Sequence, residues 1–167
     1  MKIILALLLT ILFTTQTYAN SAPLPEGWQE VTLADIKNNP DFAARKTNPL
    51  SRLKARGDFD GNGYVDIARL LKNKNNQGAI FVTFFYKGKA SKDVLVQDAS
   101  FQTTEVETIL RKNIDPKKFC DLSSNKHCQG IKPAGDVINV VLLTMGNTVW
   151  YWDNKTQKFD VFYSVGD

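Results

Sequence analysis

Downstream of residue 60, apolar and polar side chains alternate along most of the chain, a pattern typical of β-strands half-buried in a sheet. It predicts strands at 64–71, 79–87, 93–97, 104–111, 136–143, 148–152 and 158–163. The segment 104–111 also fits one face of a helix, but its alternating threonines and valine favour a strand. The segment 79–87 carries apolar side chains on both faces, which predicts a central position in the sheet.

The residues before these strands show different signals. Two prolines and a glycine in 20–31 predict an extended lead-in, and the sequence from Thr32 to Asp35 resembles a helix capping box. A short helix over about 33–38 is therefore predicted. It ends before Pro40, because the residue preceding a proline is disfavoured in the α conformation.

The N-terminus has the features of a secretory signal peptide. Lys2 precedes an apolar run over 3–13, and Thr-Tyr-Ala at 17–19 ends in a small residue suited to cleavage. We predict a signal peptide over 1–19, cleaved after Ala19. The apolar run is shorter than the roughly 20 residues that cross a bilayer. The mature chain is therefore predicted to be periplasmic or extracellular and to have no membrane span.

The stretch 57–68 has the spacing of a calcium-binding loop. Its candidate ligands fall at loop positions 1, 3, 5, 7 and 9, the oxygen pattern that Ca²⁺ prefers: Asp58, Asp60, Asn62, the Tyr64 carbonyl and Asp66. An EF-hand would end with a glutamate at position 12, where this chain has Arg69. Since all ligands come from one tight loop, the predicted Ca²⁺ is structural. The alternative is a metal-free hairpin built on Asx turns.

The sequence Gly63-Tyr64-x-Asp66-Ile67-Ala68 resembles the second half of the FG-GAP (VCBS-type) repeat, whose calcium loop leads into a strand. The segment 78–82 resembles the next strand of that repeat. The resemblance covers about residues 57–88 and implies a calcium-loop hairpin. A propeller is excluded, because no second segment of this kind is found in the sequence.

The C-terminal residues 150–167 resemble the ending of small secreted proteins that carry one FG-GAP-like segment and a downstream cysteine pair. This second resemblance implies a common architecture but no particular activity. With 167 residues and 43% hydrophobic composition, the chain can build one core. We therefore predict an α+β, mostly β fold in a single globular domain over 32–167. It contains an antiparallel sheet, a short N-terminal helix and a calcium-loop hairpin.

Cys120 and Cys128 are the two cysteines of the chain. In an oxidising compartment an even number of cysteines favours pairing, so we predict a disulfide between them. A zinc site that includes His127 is the alternative. It lacks a fourth ligand of the usual type.

The chain carries a net charge of +4, and a basic strip precedes the acidic loop. Export and the lack of a nucleic-acid-binding motif argue against nucleic acid as a partner. The predicted partner-binding residues combine the strip with the aromatic C-terminal hairpin: Arg52, Lys54, Arg56, Trp150 and Tyr151. The alternatives are a solvated basic face and aromatic side chains that belong to the core.

No nucleophile with a base, no phosphate-binding loop and no open metal site is recognisable in the sequence. We therefore predict a non-enzymatic binding module that recognises a protein or a cell-wall component, with an inhibitor or immunity protein as one form. The alternative is a cell-wall polymer hydrolase that uses Asp66 or the pair Glu105 and Glu107.

Overall fold

The computed structural model describes residues 22–36, 49–100, 102–115, 130–143 and 146–165. These residues form a mostly β protein in which all strand pairings are antiparallel. The strands are β1 (Trp28–Glu30), β2 (Lys54–Gly57), β3 (Asp66–Asn73), β4 (Gly78–Tyr86), β5 (Lys89–Asp98), β6 (Thr104–Ile109), β7 (Val137–Leu142), β8 (Gly146–Asp153) and β9 (Lys158–Val165). Short 3₁₀ turns lie at Pro49–Leu53 and Arg111–Asn113.

The strands divide into two sheets. Sheet 1 has the order β1-β3-β4-β5, with β2 also paired to β3, and sheet 2 has the order β6-β7-β8-β9. The sequence predicted strands at all of the positions from β3 to β9, but it predicted one sheet rather than two. It also missed β1, which lies in the predicted lead-in, and β2, whose alternation of exposed and buried residues depends on the small Ala55 and Gly57.

The main core lies between the sheets. Both sheets contribute buried side chains to it, including Val82 and Phe84 from β4, Val140 from β7 and Trp152 from β8. The Phe84 and Trp152 rings meet across the interface with centroids 4.7 Å apart. Apolar residues facing the interior at alternate strand positions thus join the sheets into a β-sandwich.

The outer faces of both sheets are also partly covered. On sheet 2 a second cluster forms around Val137, Val149 and Phe162. On sheet 1 the N-terminal segment lies over Arg69, which is 3% exposed and donates hydrogen bonds to the carbonyls of Ala22 and Pro23. The central strands therefore have packed residues on both faces, which explains the apolar residues that the sequence shows on both faces of 79–87.

The predicted helix is not confirmed. Leu33–Ile36 forms a single α-helical turn, in which Asp35 accepts hydrogen bonds from the backbone amide and hydroxyl of Thr32. Residues 37 and 38 lie outside the described residues. So do the predicted signal peptide, Cys120, Cys128 and His127, and the disulfide stays a prediction. In the described ranges, no helix has the length and apolar character needed to cross a membrane.

Candidate metal site and its surroundings

The acidic loop connects two neighbouring strands of sheet 1. Gly57 ends β2 and Asp66 begins β3, and the two residues are paired in the strand register. The intervening residues 58–65 therefore form the closed end of a hairpin. Because the two strands fix both ends, the acidic side chains of the loop are held close to one another.

Three carboxylates meet inside this loop. Asp58, Asp60 and Asp66 each offer an oxygen, and these oxygens lie within 4.8 Å of one another. Oxygens that share one Ca²⁺ at about 2.3–2.6 Å must lie within roughly 5 Å of each other. The separation therefore fits a single hard cation.

Backbone amides hold the loop side chains in position. Gly63 donates to Asp58 Oδ2 at 2.9 Å, Asn62 donates to Asp60 Oδ1 at 3.1 Å, and Tyr64 donates to Asn62 Oδ1 at 2.7 Å. Gly61 and Gly63 have φ of 75° and 86°, the left-handed region that favours glycine. The chain can therefore turn tightly around its own side chains.

Asp66 is the buried member of the cluster, with no exposed surface. Its Oδ2 accepts a hydrogen bond from the Phe59 amide and its Oδ1 accepts one from the Phe85 amide, both at 2.9 Å. Burial raises the pKa of Asp66 to about 7, and the charges of Asp60 and Asp58 add to the effect although the two amides oppose it. Burial likewise raises the pKa of Asp60. Negative charge is thus disfavoured here unless a cation balances it.

One oxygen of the cluster is unsatisfied. Asp58 Oδ1 is buried and has no hydrogen-bond partner in the structure. A buried carboxylate oxygen without a partner carries a desolvation cost of about 1–3 kcal/mol or more. This atom is the one for which a metal ligand role is easiest to justify.

The loop is also tied to sheet 2. The Asp136 amide donates to the Asp58 carbonyl at 2.8 Å, and the Asp58 amide donates to Asp136 Oδ2 at 3.1 Å. At Gly135 the two backbones are so close that a Cβ would stand 2.0 Å from the Asp58 carbonyl oxygen. This contact could not be predicted from the sequence, because the two partners are far apart in the chain and a lone Gly-Asp pair is a common turn signal.

A second contact joins the loop to the C-terminal hairpin. Asn154, in the turn between β8 and β9, donates to the Asp60 carbonyl at 3.4 Å and accepts from Trp152 Nε1 at 2.9 Å. This contact places the loop and the C-terminal hairpin side by side. The link passes through Asn154 and not through Trp150 or Tyr151.

The predicted partner-binding side chains are largely occupied by other contacts. Arg52 donates to Glu105 at 2.9 Å and also reaches Glu107, while Lys54 pairs with Glu30 at 2.7 Å. Arg56 is exposed, and its carbonyl accepts a hydrogen bond from Thr108.

Trp150 and Tyr151 point to opposite sides of sheet 2, and both are half-buried. Trp150 packs against the main core and Tyr151 packs against the second cluster, where its ring lies 6.1 Å from that of Phe162. Both residues thus have structural contacts, and their part in partner binding stays a prediction.

The residues suggested for acid–base chemistry are poorly placed for it. Asp66 has no exposed surface, and Glu105 is 4% exposed and paired with Arg52. Glu107 accepts hydrogen bonds from Arg52 and Asn139. A general acid must reach the bond that it protonates, which the buried Asp66 and Glu105 cannot do. Glu107 is partly exposed but is already engaged by two donors, so the three carboxylates do not favour the hydrolase alternative.

Replacing Arg52 by alanine is expected to lower the free energy of unfolding by about 1–3 kcal/mol, because the buried Glu105 loses a charged hydrogen-bond partner. Lys54→Ala is the matched control. Its pair with Glu30 is about half exposed on both sides, so a loss of about 0.5 kcal/mol or less is expected. Urea unfolding measures both. Equal small losses in the two variants would show that Arg52 has no structural role.

Comparison of the chain with known protein families, with curated proteins and with solved structures finds no match.

Proposed function

We propose that this chain is an exported, non-enzymatic binding module whose acidic loop holds a structural Ca²⁺. The observation that carries the proposal is the convergence of the Asp58, Asp60 and Asp66 carboxylates, together with the buried Asp58 Oδ1, which has no hydrogen-bond partner. The donors of this cluster are all oxygens, which favours a hard cation over zinc. Asn62 and the Tyr64 carbonyl complete the ligand set in this proposal.

The proposed role of the metal is to hold two parts of the molecule together. The loop hydrogen-bonds to β4 through Asp66, to the segment before β7 through Asp58 and to the β8–β9 turn through the Asp60 carbonyl. A cation that removes the repulsion among the carboxylates stabilises all three contacts. Extracellular calcium-binding modules bind Ca²⁺ with Kd of about 10⁻⁴–10⁻³ M, a range that suits an exported protein.

The proposed metal site supports a binding role better than a catalytic one. The metal ligands come from one loop tied to the backbone on several sides, so no open coordination position is evident for a substrate. A rigid loop lowers the entropy cost of association. The partner in this proposal is a protein or a cell-wall component, and inhibition of a secreted toxin or wall hydrolase is one form that such binding would take.

The test is retention of a partner by immobilised mature protein. Cell-envelope extract and purified wall polymer are passed over it in Ca²⁺ and in EDTA, and the protein is assayed for release of soluble wall fragments. We expect retention that EDTA and the variant Asp60→Asn reduce, and no fragment release.

The matched control is Asp98→Asn, which removes an exposed carboxylate outside the loop and should bind as wild type does. Release of wall fragments that is lost in Asp66→Asn would replace this proposal with the hydrolase. Equal retention with and without Ca²⁺ would remove the metal from the binding role.

A further inference from the structure

A contiguous aromatic and basic surface lies beside the acidic loop. We call it the tyrosine–lysine patch, and its residues are Tyr64 from the loop, Tyr86 at the end of β4, Lys87 in the β4–β5 turn and Lys89 at the start of β5. Tyr86 is 54% exposed, and it contacts the half-buried Tyr64. Single exposed apolar residues need no explanation, but adjacent ones are typical of interaction sites.

The aromatic part of the patch is ordered by its own contacts. The Tyr64 and Tyr86 rings meet edge to face with centroids 5.5 Å apart, and Lys87 Nζ lies 5.1 Å from the Tyr86 ring centroid. Tyrosine presents a large contact area with little conformational entropy to lose, and it is enriched at binding hot spots. The patch therefore has a preformed apolar centre with a cationic margin.

The charge of the patch indicates an acidic partner. Among the ion pairs of the described residues, none involves Lys87 or Lys89. Lys89 is paired with Tyr86 in the strand register, so both ammonium groups lie at the same end of sheet 1. Unpaired cations around an apolar centre attract a partner with complementary negative charge.

The neighbouring strand edge indicates that this partner is a polypeptide. β5 is the last strand of sheet 1, and no strand of the described residues pairs with its outer edge. Residues 89–93, which begin at the patch, are all exposed. An extended peptide can add to such an edge through main-chain hydrogen bonds while its side chains reach the adjacent surface. A glycan has no equivalent of this ladder.

The acidic loop determines both the backbone position and the electrostatic potential of the patch. Asn62 Nδ2 donates to the Phe85 carbonyl at 3.0 Å, and the Phe85 amide donates to Asp66. The loop is therefore hydrogen-bonded to β4 immediately before Tyr86. The loop carboxylates carry up to three negative charges, of which one bound Ca²⁺ cancels two. Without the metal an acidic partner is repelled by the loop, and with the metal the lysines dominate.

We infer that the tyrosine–lysine patch and the adjoining β5 edge bind an acidic, extended peptide segment of a partner protein, and that Ca²⁺ in the loop strengthens this binding. The inference rests on the proposed function, since it names the partner of the binding module. It moves the partner surface away from Arg52, Lys54, Trp150 and Tyr151, whose side chains already have intramolecular contacts.

The experiment selects short random peptides, displayed on phage, on the mature protein in Ca²⁺. We expect the enriched peptides to combine acidic and apolar residues. One enriched peptide is then labelled and titrated by fluorescence anisotropy. Lys89→Glu should weaken its binding about tenfold, because reversing the charge replaces an attraction with a repulsion. EDTA should weaken it as well.

Lys74→Glu is the matched control, with the same change of charge in the turn at the opposite end of β4, and it should bind within about twofold of wild type. Circular dichroism checks that both variants are folded. The inference is overturned by enrichment without an acidic bias, by no enrichment at all, by equal loss in the two variants, or by tighter retention of polygalacturonate than of the peptide.

Calorimetric titration with CaCl₂ on the same samples tests the metal separately. Ca²⁺ binding that Lys89→Glu leaves unchanged, together with failure of the peptide arm, would overturn the patch and leave the proposed function standing. Absence of Ca²⁺ binding would count against the proposed function itself and against the metal dependence inferred here.

Discussion

Saturating Ca²⁺ is expected to raise the melting temperature of the mature protein by roughly 5–10 °C. At free Ca²⁺ about a hundredfold above Kd, binding to the native state alone adds about 2.7 kcal/mol to the free energy of unfolding. In a protein of this size each 1 kcal/mol shifts the midpoint by about 2–4 °C. The physical source is the relief of repulsion among Asp58, Asp60 and Asp66 and the satisfaction of the buried Asp58 Oδ1.

Calorimetry and thermal melts in Ca²⁺ and in EDTA measure this shift. Asp60→Asn, which removes one carboxylate and keeps the shape of the side chain, should lose most of it. Asp98→Asn, which changes an exposed carboxylate outside the loop, should retain the full shift. If wild type and Asp60→Asn respond alike, or neither responds to Ca²⁺ at about 10–100 mM, which is a hundredfold above the proposed Kd, the calcium proposal fails.

The metal-free protein is expected to become less stable as the pH rises from about 4 to about 7, by about 4 kcal/mol. The pKa of Asp66 is raised from 3.8 to about 7 in the native state, chiefly by burial. Between these values the native state holds a proton that the unfolded state has released. The contribution of Asp66 to the free energy of unfolding is therefore fully present below pH 4 and is lost as the pH rises through 7.

Urea unfolding in EDTA at several pH values measures this slope. Asp66→Asn should flatten it, whatever its effect on the absolute stability, while Asp98→Asn should leave it unchanged. The hydrogen bond from Lys72 lowers the pKa of Asp35 to about 2. Asp35 therefore changes the free energy of unfolding only below pH 4, outside this window. Saturating Ca²⁺ should suppress the loss at neutral pH, because it favours the ionised form of Asp66. A metal-free protein whose stability rises from pH 4 to 7 would contradict the raised pKa.

Strand positions could be predicted from the sequence because alternation reports the face on which each residue lies. β4 is an example: Ile80, Val82 and Phe84 recur at every second residue and are all buried. The division into two sheets could not be predicted, because the same pattern describes a strand in either sheet. β1 was missed for another reason, since its three residues follow prolines and are too few to show a period.

The convergence of Asp58, Asp60 and Asp66 could be predicted because the three residues are close in the sequence and their spacing alone brings them together. Asp136 and Asn154 could not be found in this way, since their contacts with the loop depend on the packing of sheet 2 against sheet 1. The contacts of the basic strip could not be predicted for the same reason. Its sequence shows charge, but only the structure shows that Arg52 and Lys54 already have acidic partners.

The paired hydrogen bonds between Asp58 and Asp136 have a consequence for the rates of folding and unfolding. They join residues 78 positions apart, so they form only after a long loop has closed and sheet 2 has docked. A contact made after the folding transition state changes the unfolding rate more than the folding rate. Ca²⁺ bound at this junction would therefore lengthen the lifetime of the folded protein and reduce the time that the unfolded chain is exposed to proteases.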